Sequence, residues 1–328
     1  MNQGGDILKG FLYKRMLQLI PTLLIVAIIV FFITRMLPGD PAAVMLGPQA
    51  SAQDIAEYSE KLGLNEPLHK QFFDYLISLA TFDFGNSLTY NRPIMDLIIE
   101  RFPNTIILAV SALLIAVMIG VPAGIIAARK QNTIIDYSVT TLSLIGVSMP
   151  IFWLGVMLVL YFSVNLGWFP ATGMGSLEEG FGNFIRHLIL PSVALATIPT
   201  AEFARIIRSS MLETISQDYI KTARSKGLKE FKVINKHAFK NALTPLLTVI
   251  GLQFSGLLGG AVLTETIFSW PGMGLLIVDA IEKRDFVVVQ STVIFIAVIY
   301  VVINLIVDIL YKVVNPKVNL DSNSGGGK

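Results

Sequence analysis

Apolar positions along this chain come in long blocks separated by short clusters of charge. The first block runs from about Leu17 to Leu37 and stops at the Pro-Gly-Asp-Pro of residues 38–41. Five more follow at about 104–128, 137–166, 188–208, 241–264 and 287–311. Each is close to the roughly 20 apolar residues that a helix needs to cross a bilayer. The fourth block is the least clean, because Glu202 and Arg205 interrupt it. None of the blocks alternates polar with apolar as the strands of a barrel do, so helices are left as the way to satisfy the backbone within lipid. The pattern predicts an all-α integral membrane protein with six transmembrane helices. Residues 17–315 form the membrane domain, between an N-terminal segment, 1–16, and a polar tail, 316–328.

Two stretches between the blocks are more than turns. Residues 38–103 contain SAQDIAEYSEKLGL and EPLHKQFFDYLISLA, both with helical apolar spacing, which predicts a small folded cap. The stretch Glu265–Phe286 opens on ETIFSWPGMG, where Pro and Gly break a helix before an amphipathic piece follows. This is the pattern of a re-entrant or interfacial segment.

Composition supports the bilayer as solvent. Charged residues are 15% of the chain and the mean hydropathy is +0.66, whereas soluble domains hold about 25% charged residues. Net charge is only +2, so nothing in the balance calls for a nucleic-acid partner. With no cysteine in the chain, thiol catalysis and zinc–thiolate sites are excluded. The apolar run after Arg15 is too long for a signal-peptide core and reads as the first retained span. Orientation follows from Lys and Arg. With both termini in the cytoplasm, 17 basic residues fall inside and 8 outside.

Few residues carry obvious chemistry. No phosphate-binding GxxxxGK[ST] loop is present, His69, His187 and His237 are scattered, and no nucleophile–His–acid set suggests itself. Gly120 with Gly124, and Gly256 with Gly260, have the G-x-x-x-G spacing that lets helices approach closely. Glu202 reads either as an edge residue paired with Arg205 at i+3 or as a pathway or proton-relay group. Asp308 and Lys312 read as an edge pair, and Trp168 and Trp270 as anchors in the interfacial belt. An ion-coupled secondary transporter is a rival reading. It is disfavoured by the absence of repeated hydropathy halves and of paired broken helices in the pattern.

The most distinctive stretch lies between the fourth and fifth spans, at about 209–240. From Arg208 to Lys240 it holds eight Lys or Arg against Glu213, Asp218 and Glu230. It could be a solvated loop, an amphipathic helix on anionic lipid, or a docking element for another protein. Ala223 and Gly227, four apart, would share one bare helix face, and Gly227 would also permit a sharp turn. KEFKVINKHAFKNALTPLLTVIGLQF then reads as one helix running into the fifth span.

YIKTARSKG (219–227) followed by HAFKNALTP (237–245) resembles the signature loop of the membrane subunits of ABC importers, E-A-A-x-x-x-G with a downstream I-x-L-P. Ala223, Gly227 and Pro245 match. Lys221 and Thr222 depart from the signature Glu and first Ala, in the manner of the dipeptide, oligopeptide, nickel and glutathione branch. LGLNEPLHKQFFDYL, FDFGNSL, GLQFSGLLGG and ETIFSWPGMGLLIVDAIEKRDFVVVQ resemble that branch in the same order. The resemblance implies a type I ABC importer permease of a bacterial inner membrane that carries small peptides, with nickel or another small solute as alternatives. It implies a homologous second permease subunit, two ATPase subunits that bind the ATP and magnesium, and an extracytoplasmic solute-binding protein. No cofactor is implied in this chain. Lys221, Thr222, Ala223, Arg224 and Gly227 would form the ATPase-coupling element, and Trp270, Pro271, Gly272 and Met273 the outer gate facing the binding protein.

Overall fold

The computed structural model describes residues 3–36, 41–47, 49–61, 63–87, 89–176 and 178–314. The Pro38–Asp40 part of the first stop and the 316–328 tail lie outside them. Fourteen α-helices occur among the described residues: α1 (Gln3–Met36), α2 (Pro41–Leu46), α3 (Ala52–Lys61), α4 (Leu68–Thr81), α5 (Ile94–Arg129), α6 (Ile134–Ser148), α7 (Ile151–Leu158), α8 (Phe181–Ile215), α9 (Asp218–Ser225), α10 (Glu230–Lys232), α11 (Phe239–Gly260), α12 (Val262–Ile267), α13 (Met273–Glu282) and α14 (Phe286–Val314). Short π-helical stretches extend α7 and link α10 to α11. The only bridge among the described residues outside helices joins Asn86 and Pro93.

Four helical stretches are long and apolar enough to cross a bilayer unbroken: Leu17–Met36, Ile94–Arg129, Phe181–Ile215 and Phe286–Ile309. The count reaches six when two bent pairs are each taken as one span. The third expected span, 137–166, is therefore not a single helix. It breaks at Met149–Pro150 and the two pieces diverge by 102°. A residue before proline is pushed out of the helical region, and Met149 is extended, with ψ 126°. The helix entering the fifth span is bent by 52° between Leu243 and Pro245. Broken helices are thus present where the apolar pattern alone indicated none.

The second span also begins earlier than its apolar block. Its helix starts at Ile94, not near 104, and carries Pro103 within it. The extra turns form because Ile94, Leu97 and Ile98 repeat at i, i+3 and i+4. They bury one stripe against Met273, Leu276 and Ala280 of α13.

The chain divides into two compact units. The first comprises residues 1–105 and 269–301. In it Phe31 of α1 is fully buried between rings of α4, edge-on to Phe72 at 5.1 Å and stacked on Tyr75 at 5.6 Å. Arg35 lies 3.8 Å over the Phe31 ring and donates to Gln71 at 3.0 Å. The helices of 38–103 are capped locally. At the start of α3, the Ser51 hydroxyl accepts from the Asp54 amide and the Asp54 carboxylate from the Ser51 amide, both at 3.1 Å. Asp285 caps α14, accepting from the Val288 amide at 3.3 Å, and is tied to the loop before α5 by the Ser87 hydroxyl at 2.7 Å.

The second unit comprises residues 106–268 and 302–328. Its centre is α8, which packs against α6, α7 and α11. The approach of α5 to α8 is set by glycine. A Cβ added to Gly120 would lie 2.5 Å from the Thr200 carbonyl oxygen, and one added to Gly124 would lie 2.5 Å from that of Ala204. These two glycines put helix backbone against helix backbone, the close approach expected of small residues in membranes. The second G-x-x-x-G pair differs: Cβ atoms at Gly256 and Gly260 would meet nothing within 4 Å.

This contrast is testable by thermal unfolding of the purified chain in detergent. Gly124→Val overpacks the α5–α8 contact and is expected to cost about 1–3 kcal/mol. Gly256→Ala is expected to stay within about 0.5 kcal/mol of the parent. Equal losses would show that the two glycine pairs do not differ in packing.

Candidate functional site

The basic stretch after the fourth span folds into a compact corner. Helix α8 runs on to Ile215, so the first residues of the expected loop are still helix. After two intervening residues α9 begins with Asp218, an acid in the first turn where the helix dipole favours one. Lys221 donates to the Asp218 carboxylate at 2.8 Å and holds its carboxyl below the usual range. The inner stripe of α9 is Ile220 and Ala223, both buried. The helix packs on the π-helical stretch 233–238, whose Val233, Ile234 and Ala238 are buried as well.

The structure corrects one expectation here. Ala223 and Gly227 do not share a helix face, because α9 ends at Ser225. Ala223 is small because it turns inward onto its own chain. Gly227 stands beyond the helix in the left-handed region, φ +72°, with open space where a Cβ would be. It is the turn residue, as its alternative reading required. Arg224 spans that turn with a two-pronged contact to Glu230, at 2.7 and 3.1 Å. Tyr219 accepts from Asn241 of α11 at 2.6 Å. What α9 offers outward is Tyr219, Lys221, Thr222 and Ser225, with Lys226 following, all exposed. The corner is therefore a rigid wedge: one end continues α8, and the other leads through Gly227 into the helix that becomes α11.

A second feature was not singled out in the sequence. Asp136, in the first turn of α6, is buried and grips Arg208 of α8 through two contacts at 2.5 and 2.7 Å. The Asn132 amide adds a third donor at 3.0 Å. Arg208, counted above among the basic residues of the stretch, is thus committed to an internal ion pair. The available signal was an acid at the start of an apolar block, which alone names no partner 72 residues away.

The Trp-Pro-Gly segment also differs from expectation. Trp270 is fully buried and is not a belt anchor. Its indole N–H donates to the Asn104 carbonyl at 2.9 Å, while the Asn104 side chain donates to the Pro271 carbonyl at 2.8 Å. The Met273 amide donates to the Thr105 hydroxyl at 2.8 Å. Gly272 and Met273 are buried too, and Pro271 is half-buried. Hydrogen bonds pin this stretch before α13 to the helix at 104–105, and its four residues present little side-chain surface to a partner. Trp168, in contrast, is exposed as a belt residue would be.

Glu202 is not paired with Arg205. Its carboxylate accepts from the side-chain amide of Gln253, across α8 and α11. The Lys312 side chain lies outside the described residues, so the Asp308–Lys312 pair does too. Among the described residues no cluster of His, Asp or Glu could hold a metal ion.

Comparison with known proteins is extensive. Residues 120–320 match the family described as the binding-protein-dependent transport system inner membrane component, and residues 8–109 match its N-terminal companion. The chain is 48% identical to the dipeptide transport system permease protein of Alkalihalophilus pseudofirmus, over 94% of this chain and 99% of that protein. It is 42% identical to the oligopeptide transport system permease protein of Bacillus subtilis, over 95% and 99%. To the glutathione transport system permease protein of Salmonella typhimurium it is 43% identical, over 94% and 98%. Among solved structures, the inward-facing MetNI methionine ABC transporter shares the fold, with a TM-score of 0.56 and 18% identity over 67% of this chain and 97% of that one.

The Asp136–Arg208 pair yields a direct test. Asp136→Ala leaves a partly buried guanidinium uncompensated and is expected to cost about 3 kcal/mol, the low end for a broken buried pair because Arg208 keeps some exposure. The exchange Asp136→Arg with Arg208→Asp should recover part of the loss. Thermal unfolding of the three proteins measures it, and an unchanged midpoint for Asp136→Ala would show that the pair contributes nothing.

Proposed function

The chain belongs to the family of binding-protein-dependent transport system inner membrane components, and from that premise we propose how its parts divide the work of peptide import. It is a membrane-spanning permease subunit of an ATP-driven ABC importer and not itself an enzyme. ATP hydrolysis belongs to separate ATPase subunits.

The cargo is a small peptide: a di- or oligopeptide, or glutathione. Relatives that this chain matches over nearly its whole length are named for those three substrates. The chain forms half of a pathway with a homologous second permease subunit. Two ATPase subunits, which bind the ATP and magnesium, dock on the cytoplasmic side, and an extracytoplasmic binding protein delivers cargo. Both termini and the basic corner face the cytoplasm, a reading that the distribution of Lys and Arg supports.

The observation that carries the coupling role is the wedge at 218–240. Its outward residues Lys221, Thr222 and Lys226 are exposed, while Ile220 and Ala223 lock it to the helix leading into α11. A push on α9 is therefore delivered to α11 rather than absorbed in a flexible loop. Arg224 and Gly227 keep the wedge in shape and do not themselves need to touch a partner. The Trp270–Met273 segment serves as an outer gate through its backbone path, held in place by Asn104 and Thr105.

Gly227→Val tests the wedge. Its own chain leaves room for the side chain, so the cost within the subunit is the backbone strain of a β-branched residue at positive φ, roughly 1–2 kcal/mol. The variant is expected to insert, yet to lose co-purifying ATPase subunits or ATP-driven peptide uptake in vesicles, while Lys226→Ala retains both. Full association and full uptake by Gly227→Val would remove the wedge from the coupling mechanism. Uptake that needs an ion gradient and not ATP would overturn the importer reading itself.

Orientation is read by single cysteines. Ser225→Cys, in the basic corner, and Gln53→Cys, exposed on α3, are expected to react with an impermeant maleimide from opposite sides of the membrane. Ser87 is unsuitable for this purpose, being buried against Asp285. Labelling of both from one side would reject the topology.

A further inference from the structure

Glu202 lies six residues before Arg208, where the fourth apolar block ends, about 9 Å along the axis at 1.5 Å per residue. It therefore stands within the membrane-crossing part of α8, toward its cytoplasmic side. Ionisable groups at such depth are costly, and they mark paths for ions or substrates or pair with each other. Glu202 does not have a cationic partner among the described residues. Arg205, one turn on, is exposed and makes no ion pair with it. The contact Glu202 does make, from the Gln253 amide, fixes its position but neutralises no charge. The side chain is half-buried, so it is not sealed from a neighbouring space.

What adjoins it is unusual for this bundle. On α11, Gly256 and Gly260 follow Gln253 by three and seven residues and so continue the same helix face. Cβ atoms added there would meet nothing within 4 Å, in contrast to those at Gly120 and Gly124. Glu202 therefore borders a glycine lane that is exposed on the surface of this subunit.

Resting on the peptide-permease reading above, we propose that Glu202 is a pathway receptor for the α-ammonium group of the peptide, with Gln253 as its positioning residue. Gln253 occupies Oε2 and leaves Oε1 as an acceptor. A primary ammonium brings three donors and the missing positive charge, and a charge-assisted bond of this kind is roughly twice as strong as a neutral one. The division of labour suits a permease for varied peptides. The carboxylate recognises the group that peptides with a free N-terminus share, and the glycine lane meets their differing side chains with backbone alone.

The test uses the assembled complex of both permease subunits and the ATPase subunits in nanodiscs, without binding protein. The probes are radiolabelled trialanine and its N-acetylated form. The wild type is expected to bind trialanine roughly tenfold or more tightly than the acetylated peptide, the scale of one hydrogen bond to a charged group. Glu202→Gln should bind both at the weaker level, while Glu202→Asp keeps a preference for the free amine. Equal binding of the two peptides by wild type overturns the proposal without any variant. So does unchanged trialanine affinity in an intact Glu202→Gln complex. If that variant fails to assemble, loss of the preference in Glu202→Asp overturns it instead. Binding of neither peptide by wild type, together with ATP-driven uptake of a solute that is not a peptide, overturns the peptide reading and this proposal together.

Discussion

Within lipid a backbone N–H or C=O has no water to turn to, and much in this protein follows from that constraint. It dictates helices, and it makes every break in a helix a matter for the surrounding protein. One break falls at Pro150, where Met149 is pushed out of the helical region, and α11 bends at Pro245, where the ring removes a donor from a helix that otherwise continues. It also sets how helices meet. Apolar side chains gain little by leaving lipid for one another, so association rests on close backbone approach. Gly120 and Gly124 against the carbonyls of Thr200 and Ala204 provide it.

Helix α8 gathers the consequences. Its middle receives α5 through those glycines, and its last turns hold α6 through the Arg208–Asp136 pair. Its end leads within two residues into α9. Some polar contacts in this unit join elements distant in sequence, Asp136 to Arg208 and Glu202 to Gln253 among them. A force applied at the wedge thus acts on helices that are bolted at defined points, which is what a subunit driven from outside by ATPases requires. The helix break at Trp270–Gly272 follows the same logic, with a buried indole and two reciprocal bonds to Asn104 replacing the regular ladder.

The proposed mechanism keeps coupling to the ATPases and cargo recognition on separate elements joined by one helix. The wedge leads into α11 through the bend at Pro245, and α11 carries Gln253 and the open glycine lane. Movement of the wedge would therefore reposition the side chain that holds Glu202. In this way a change at the cytoplasmic face can alter the grip on a peptide ammonium without any contact between the two.

By itself the sequence determined the fold class, the number of apolar blocks, and the place of the basic corner. These depend on hydrophobicity and charge summed over twenty residues, and such sums survive any detail of packing. Local chemistry also carried the turn at Gly227, since positive φ is a property of one residue. Only the tertiary structure decided which way side chains face. Ala223 looked like a bare docking surface and turned inward, because Val233, Ile234 and Ala238 lie against its helix. Trp270 looked like an interfacial anchor and is buried, because Asn104 accepts its N–H. Glu202 had a cation three residues away in sequence and took a neutral amide from another helix. Arg208 left the basic stretch for Asp136. In each case the partner is tens of residues distant or on another element. A pairing of that kind is set by the geometry of helix packing, to which the local pattern of the chain is blind.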